Sequence, residues 1–273
     1  MQQPQHAGGV ARLLVDRTGL EVLDSGNFSS AWTVRLQAHY LGGRRHFRTW
    51  EIGDIGVLLF VRSPTRVEHS KVVLLQSKRL YPTSMAVTEE TIVEYEIGFA
   101  RLADPEDLAH SLTLEADYEF TEDARYGALL AKSDQVKAIS AYQKEHGVPV
   151  YYHLYNPWRL PYARHVPIDS YDTPTGPLEM GVRVVPSEIV HDSLRGRAKG
   201  YRPTVRDVAE SGAPDTYGWR LESFLAGELI DCREGARFDS IDQPSIDALF
   251  TRRSGPIAAA IAITLEAPAG LLD

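Results

Sequence analysis

Two neighbouring apolar runs constrain this chain more than any other feature of its sequence. The first run covers residues 55–61 and the second covers residues 71–78, and a polar segment that contains Pro64 separates them. Short apolar runs on either side of a turn are typical of a β-hairpin. Both runs are apolar on both faces near their centres, which is typical of a sheet covered on each side. The sequence therefore predicts an α/β protein with a buried central hairpin.

Composition excludes several classes of protein. The chain has 273 residues, of which 43% are hydrophobic and 24% are charged, which is typical of a globular protein with a substantial core. The single cysteine, Cys232, excludes a disulfide framework and a cysteine-based zinc site. The longest apolar run, residues 256–265, is too short to cross a bilayer. The sequence contains no secretory signal, nucleotide-binding glycine loop, zinc-type histidine spacing or serine-hydrolase elbow. We expect a cytoplasmic protein that does not associate with membranes.

Further elements surround the hairpin. A helix is predicted from Ser29 or Ser30 through Tyr40, and a second helix from the N-cap Ser133 to Gly147. The remaining predicted elements are a strand at 10–15, a strand at 148–155, helices at 205–210, 219–229 and 245–250, and a last strand at 257–265. After Pro157 the pattern weakens. A boundary near residue 165 would separate a core, residues 1–165, from a C-terminal extension packed on it, residues 166–273.

Three polar residues stand at the ends of the hairpin strands. Asp54 opens the first strand, and Gln76 and Lys78 close the second. Because the start of one antiparallel strand lies beside the end of the next, these residues meet at one edge, and Gln76 and Lys78 share a face. Carboxylate and amide oxygens are ligands that Mg²⁺ accepts, and a bound Mg²⁺ assists phosphodiester hydrolysis. The lysine can position the water or hold the phosphate.

This arrangement resembles the PD-(D/E)xK nuclease superfamily, nearest to its Mrr-like and defence-associated branches, in which the third motif is often Gln-x-Lys. The resemblance covers roughly residues 27–156. It implies a restriction-endonuclease-like α+β core, with a mixed central β-sheet flanked by helices and a C-terminal elaboration. Asp54 would be the metal-binding acid, Gln76 the metal ligand or orienter, and Lys78 the catalytic lysine. Glu51 would be a second acid, which requires a bulge or turn at Gly53.

The resemblance implies a Mg²⁺-dependent or Mn²⁺-dependent endonuclease that cleaves DNA as the effector of a bacterial anti-phage defence or restriction system. It also implies a partner protein that supplies recognition, ATP hydrolysis or a signal, and it is compatible with a homodimer. Two other functions stay open: a non-catalytic nucleic-acid-binding or assembly module that keeps the nuclease fold, and an RNA-directed nuclease. The predicted first helix lacks the Glu that the family often carries there, which favours the non-catalytic alternative. The alternative to a nuclease site is a purely structural role, in which Asp54 is a turn residue where its strand begins and Lys78 lies at a solvated strand end.

Charge is distributed unevenly along the chain. The formal net charge is −8, but residues 35–79 carry nine Lys and Arg against three acids, and residues 89–123 carry 12 acids against one Arg. A basic region around the proposed site is compatible with a phosphate substrate. Tyr151, Tyr152, His153 and Tyr155 are expected to be mostly core residues, with base stacking as the alternative. The predicted nucleic-acid contacts are Arg44, Arg45, Arg48, Arg79, Gln135, Arg195, Arg197 and Lys199.

Overall fold

The computed structural model describes residues 32–40, 52–63, 65–87, 116–166, 178–213, 217–231, 233–237, 244, 249 and 256–268. The strands of the first half are β1 (Thr33–Tyr40), β2 (Gly53–Arg62), β3 (Val67–Tyr81), β4 (Ser84–Val87), β5 (Ala116–Phe120), β6 (Arg125–Tyr126) and β7 (Val150–Tyr155). The later strands are β8 (Arg159–Leu160), β9 (Tyr162–Val166), β10 (Leu178–Glu179), β11 (Arg183–Pro186), β12 (Trp219–Arg220), β13 (Ala236–Arg237) and β14 (Ile257–Glu266). The helices are α1 (Asp134–His146), α2 (Ser187–Ser193), α3 (Val205–Glu210), α4 (Leu221–Ser223) and a π-helical segment (Phe224–Leu229).

A mixed sheet organises the molecule. Its main path within the described residues runs β1-β14-β2-β3-β7-β11-β12, and β6 and β13 add to β3. β14 is parallel to β2 and β7 is parallel to β3, whereas the other pairs along the path are antiparallel. Two smaller sheets, β10-β8 and β4-β5-β9, lie outside this path. The predicted α/β class is therefore confirmed at the level of a large mixed sheet with a few helices.

The central hairpin is confirmed, and both of its faces are buried. β2 and β3 pair antiparallel from Ile55 opposite Leu75 to Arg62 opposite Val67. Leu74 faces a core cluster that includes Ile139 of α1, while Leu75 faces a second cluster that includes the π-helical segment. Successive strand residues point to opposite faces, so the continuous apolar runs supply both clusters. Burial on both sides explains why neither run alternates with polar residues.

Helix α1 begins and ends where the sequence predicts. The Ser133 hydroxyl accepts a hydrogen bond from the Val136 N–H, and Gly147 ends the helix in the left-handed region at φ 66°. Asp134 in the first turn and His146 in the last turn suit the helix dipole. Ala138, Ile139 and Tyr142 form its buried face. These caps fix the position of the first turn of α1, which contributes a side chain to the candidate site.

The predicted helix up to Tyr40 is wrong for its described part, because residues 33–40 form strand β1. Val34, Leu36 and Ala38 alternate with polar residues at a spacing of two, which is a strand pattern. β1 pairs with β14 over its full length, from Thr33 opposite Glu266 to Tyr40 opposite Ala259. The partner strand lies more than 200 residues away in the sequence, so the local signal for a helix was overridden by pairing. Residues 29–31 lie outside the described part of the chain.

The C-terminal segment contributes strands to the same sheet. β14 lies between β1 and β2, and β11 and β12 extend the sheet beyond β7. Residues on both sides of position 165 therefore share one sheet. The predicted strands at 148–155 and 257–265 and the helix at 205–210 are confirmed as β7, β14 and α3. The helix predicted at 219–229 is replaced at its start by the two-residue strand β12 and continues as α4 and the π-helical segment.

Two predicted elements fall where little is described. The strand at 10–15 lies outside the described residues, and of the helix at 245–250 only residue 249 is described, in a helical conformation. Among the described residues, no helix is both long and apolar enough to cross a membrane.

Candidate active site

Asp54 and Gln76 meet at one edge of the central hairpin, as the sequence predicts. Asp54 immediately precedes Ile55, whose register partner is Leu75, so Asp54 stands beside Gln76. The Gln76 side-chain amide donates from Nε2 to Asp54 Oδ2 over 2.8 Å, and the Ser77 backbone N–H donates to the same oxygen over 2.6 Å. Two donors on one carboxylate oxygen fix the orientation of the Asp54 side chain.

Helix α1 joins this pair to Lys78. Gln135, in the first turn of α1, donates from Nε2 to Gln76 Oε1 over 3.2 Å, and its own Oε1 accepts from Lys78 Nζ over 2.9 Å. The caps of α1 determine where this turn lies, and the hairpin register determines where Gln76 and Lys78 lie. The structure thus brings the predicted residues Asp54, Gln76 and Lys78 together through Gln135, which the sequence predicts only as a nucleic-acid contact.

The four side chains form one hydrogen-bonded chain with a fixed direction. An ammonium group only donates and a carboxylate only accepts, so Lys78 and Asp54 determine which way both intervening amides point. Gln76 and Lys78 are buried, with 3% and 6% of their surface exposed. Burial of such groups is tolerated when each has a partner. We call Asp54, Gln76, Gln135 and Lys78 the acid–amide–lysine chain.

His153 lies behind this chain on strand β7. It is the register partner of Ser77, and it is buried with 4% of its surface exposed. Among the described residues, neither ring nitrogen has a hydrogen-bond partner. Burial lowers the pKa of His153, and the nearby Asp54 carboxylate opposes that shift. The imidazole is therefore held mainly in its neutral form at neutral pH, close to the acid of the candidate site.

The donor set of the site is compatible with a divalent cation at Asp54. Its Oδ2 accepts two hydrogen bonds, and within the described part of the chain Oδ1 accepts none. Carboxylate oxygens suit Mg²⁺ and Mn²⁺, which retain several water ligands. Gln76 presents its NH₂ group to Asp54 and its oxygen to Gln135, so in this arrangement Gln76 orients the acid. Its amide would have to turn to contribute an oxygen ligand.

The described residues do not supply a full set of metal-binding side chains around Asp54. In that part of the chain no three His, Cys, Asp or Glu side chains are grouped to hold a metal ion. Glu51, the predicted second acid, lies outside the described residues, as do the predicted DNA contacts Arg44, Arg45 and Arg48. These four assignments therefore stay predictions.

The loop after α2, which carries Arg195, Arg197 and Lys199, lies beside the start of α1. The Gly200 N–H donates to the Ala131 carbonyl over 3.0 Å, and the Ala131 N–H donates to the Tyr201 carbonyl over 2.8 Å. Two of the predicted DNA contacts in this loop have acidic partners: Arg195 is paired with Asp192, and Arg197 is paired with Asp207. Arg197 also stacks over the Tyr201 ring at 4.7 Å. Lys199 is exposed.

The aromatic residues of β7 divide between core and surface. Tyr151, Tyr152 and His153 are buried, which confirms the predicted core role. Tyr155 is 43% exposed at the end of the strand. Its register partner on β3 is Arg79, which is exposed and lies over the Tyr81 ring at 5.8 Å.

Comparison of the chain with models of protein families, with curated proteins and with solved structures gave no match. The fold and the site define a mixed α/β protein with a partly buried acid–amide–lysine chain at one edge of its central sheet. The functional interpretation is therefore based on the chemistry of the acid–amide–lysine chain.

Proposed function

We propose that the protein is a metal-dependent nuclease with a restriction-endonuclease-like core, which hydrolyses phosphodiester bonds of DNA. The observation that supports the proposal is the continuous hydrogen-bonded chain from Asp54 through Gln76 and Gln135 to Lys78. If Asp54 were only a turn residue and Lys78 only a solvated strand end, nothing would require a glutamine on a separate helix to connect them by hydrogen bonds. The acid–amide–lysine chain instead holds a carboxylate that can bind a metal ion and a lysine at one edge of the sheet, in a fixed arrangement.

Each side chain has a distinct role in the proposed reaction. Asp54 would hold Mg²⁺ or Mn²⁺, with Glu51 as a proposed second ligand and Gln76 as ligand or orienter. The bound ion would neutralise charge on the scissile phosphate and activate a water molecule. Lys78 holds a phosphate oxygen or the attacking water. Gln135 positions the Lys78 ammonium through its side-chain oxygen.

The biological setting belongs to the proposal as well. We propose an effector of a bacterial anti-phage defence or restriction system that works in the cytoplasm. A partner protein would supply recognition, ATP hydrolysis or a signal, because the sequence contains no nucleotide-binding loop. A homodimer would place two sites on the two strands of a duplex.

The direct test is cleavage of plasmid DNA. We expect the wild-type protein to cut DNA with Mg²⁺ or Mn²⁺ and to be inactive with EDTA. Lys78→Ala and Asp54→Asn should each lower the rate at least about 100-fold, since each removes a group that acts on the phosphate or the metal. Lys137→Ala, which removes an exposed lysine of helix α1, is the matched control. Cleavage that survives both EDTA and Lys78→Ala would overturn the proposal, and structured RNA assayed in parallel tests the RNA-directed alternative.

A non-catalytic module is the second candidate. It is favoured by the absence of a three-residue metal group among the described residues and by the hydrogen bonds that Asp54 already accepts. The two candidates differ in metal binding. A nuclease site predicts that Mn²⁺ raises the Tm of the wild type and not that of Asp54→Asn. Equal Tm values with and without Mn²⁺ would favour the non-catalytic module.

A further inference from the structure

Exposed aromatic side chains are concentrated at the edge of the sheet that holds the candidate site. Among the described residues, the exposed large apolar side chains are Leu36, Val67, Tyr81, Tyr155 and Trp158. Trp158 is 69% exposed, Tyr81 is 44% exposed, and Tyr155 is 43% exposed. All three lie at or just beyond the C-terminal ends of β3 and β7. Tyrosine and tryptophan side chains with an exposed ring are typical of binding surfaces.

The parallel register of β3 and β7 places Arg79 and Tyr155 one residue beyond Lys78 along the two strands. Lys78 is the register partner of Leu154, and Arg79 is the partner of Tyr155. Side chains alternate across a strand, so Arg79 and Tyr155 lie on the opposite face of the sheet from Lys78 but at the same edge. The edge therefore presents a guanidinium group and two tyrosine rings, which stand one to three residues beyond Lys78 along β3 and β7.

A cleft continues from this edge beyond β7. It has a volume of about 440 Å³, and Asn156, Trp158, Glu179, Met180, Arg220 and Glu222 are among its lining residues. Arg183 of β11 is the register partner of both Leu154 and Arg220, so the cleft opens at the same end of the sheet. Strands lie about 4.8 Å apart, which puts β12 about 14 Å from β3.

Hydrogen bonds hold the walls of the cleft in place. Asn156 accepts from the Tyr126 hydroxyl over 2.8 Å and donates to the Gly181 carbonyl over 3.0 Å. The Met180 N–H donates to the Trp158 carbonyl over 2.8 Å. The backbone that carries the exposed indole is therefore fixed, and a ligand does not have to order it.

The chemistry of this surface is that of a binder of unpaired nucleobases. Aromatic faces stack on any base, and arginine side chains contact the phosphates between bases. Glu179 and Glu222 both pair with Arg220, and such carboxylates have further lone pairs that accept hydrogen bonds from the amino groups of bases. In an intact duplex the base faces are occupied by neighbouring pairs, so only a single strand or an extruded nucleotide can offer them.

We propose that Tyr155 and the Trp158 cleft bind the unpaired bases of single-stranded DNA and lead the strand to Lys78. The inference rests on the proposed nuclease function and specifies the form of its substrate. Lys78 and the cleft lie along one edge of the sheet, so one extended strand can contact both.

The test is binding measured without cleavage, in EDTA, with a fluorescent 12-nucleotide oligo-dT and a 12-base-pair duplex. The wild type should bind the single strand at least about ten-fold more tightly than the duplex. Trp158→Ala and Tyr155→Ala should each weaken oligo-dT binding about ten-fold, because each removes one stacking face. Trp158→Phe should retain most of the affinity. Leu36→Ala, which shortens an exposed apolar side chain on the edge strand β1, is the matched control and should bind as the wild type does.

Intrinsic fluorescence adds a signal that a structural role would not change. Base stacking on the exposed indole should quench tryptophan emission when oligo-dT binds, and Trp158→Phe should lose that quenching while it still binds. Equal affinity for duplex and single strand, wild-type affinity in both alanine variants, or no binding of oligo-dT would each overturn the inference. Since EDTA removes the need for catalysis, failed cleavage with intact single-strand binding would count against the nuclease function alone.

Discussion

At the scale of the residue, Gln135 changes the interpretation of the site. In the sequence it is one polar residue on the exposed side of an amphipathic helix. In the structure it connects Gln76 and Lys78, with 3.2 Å and 2.9 Å hydrogen bonds to the two. A glutamine can do this because its amide accepts from the ammonium with one atom and donates to the next amide with the other.

Removal of this amide should impair catalysis more than binding. We expect Gln135→Ala to lower the single-turnover rate of DNA cleavage about 10- to 100-fold, as loss of a residue that orients a reactive group typically does. The KM for DNA should stay near its wild-type value, because Gln135 contacts Lys78 and Gln76 and not the proposed substrate surface. Lys137→Ala, two residues further along the same helix, should leave both parameters unchanged. An unaltered rate in Gln135→Ala would contradict a positioning role.

At the scale of the element, His191 joins three parts of the fold. Its Nδ1 lies 3.2 Å from the Ser140 hydroxyl on α1, and its Nε2 lies 3.1 Å from the Tyr152 hydroxyl on β7. Burial lowers the pKa of His191 to about 4, and the nearby Glu188 and Asp192 carboxylates only partly oppose the shift. The packing of α1, α2 and β7 therefore requires the neutral imidazole.

This requirement predicts a loss of stability in acid. The pKa of His191 is about 4 in the folded protein and about 6.5 in the unfolded chain, so the unfolded state binds the proton first. The free energy of unfolding should fall as the pH drops from about 6.5 to about 4, by at most about 3 kcal/mol from this group. Urea denaturation at several pH values measures the slope. His191→Gln should have a shallower slope over this window, and an identical slope would refute the assignment.

Gly218, which precedes β12, allows the chain to pass close to β11 because it has no side chain. Its φ is 85°, and a Cβ at this position would lie 2.7 Å from the Val184 carbonyl oxygen. A backbone oxygen cannot move aside as a side chain can, so substitution here meets both an unfavourable φ and a steric overlap. Gly212 has the same φ of 85° but open space around it.

The two glycines therefore make a matched pair of variants. We expect Gly212→Ala to cost about 1 kcal/mol of unfolding free energy through its backbone conformation alone. Gly218→Ala should cost about 3 kcal/mol or more, because the overlap with β11 is added. Thermal or urea denaturation of both variants measures the difference. Equal losses would mean that β12 moves away from β11 without cost.

At the scale of the whole molecule, strand β14 makes the two halves of the chain interdependent. β14 lies between β1 and β2, pairing with β1 over eight positions and with β2 from Ile257 opposite Gly53 to Glu266 opposite Arg62. Its buried residues, such as Ala260 and Ile263, supply both core clusters. Without it, β2 would expose an apolar edge to solvent.

This arrangement predicts the behaviour of a truncated chain. A fragment of residues 1–165 lacks β11, β12 and β14, and should be poorly soluble or lack a cooperative unfolding transition. Circular dichroism with thermal unfolding is the measurement, and the full chain is the control. A soluble 1–165 fragment that unfolds cooperatively would show that the sheet is stable without its C-terminal strands.

The elements predicted well are those whose determinants lie within a few residues. The caps Ser133 and Gly147 define α1, and the polar segment between the two apolar runs defines the hairpin, because capping and turn formation involve neighbouring groups. The ends of the two hairpin strands also place Asp54, Gln76 and Lys78 at one edge of the sheet. The element predicted wrongly is β1. Its residues alternate at a spacing of two, but the pairing that decides its conformation is with β14, far along the chain.

By itself, the sequence determined the hairpin, helix α1 and the residues that stand at the ends of these elements, since alternation, caps and turns are local properties. Only the tertiary structure decided that β14 completes the sheet, that Gln135 joins Gln76 to Lys78, and that Tyr155 and Trp158 stay exposed at the same edge. Each of these depends on contacts between residues that are distant along the chain. Such contacts form only when the whole sheet closes its apolar faces against water.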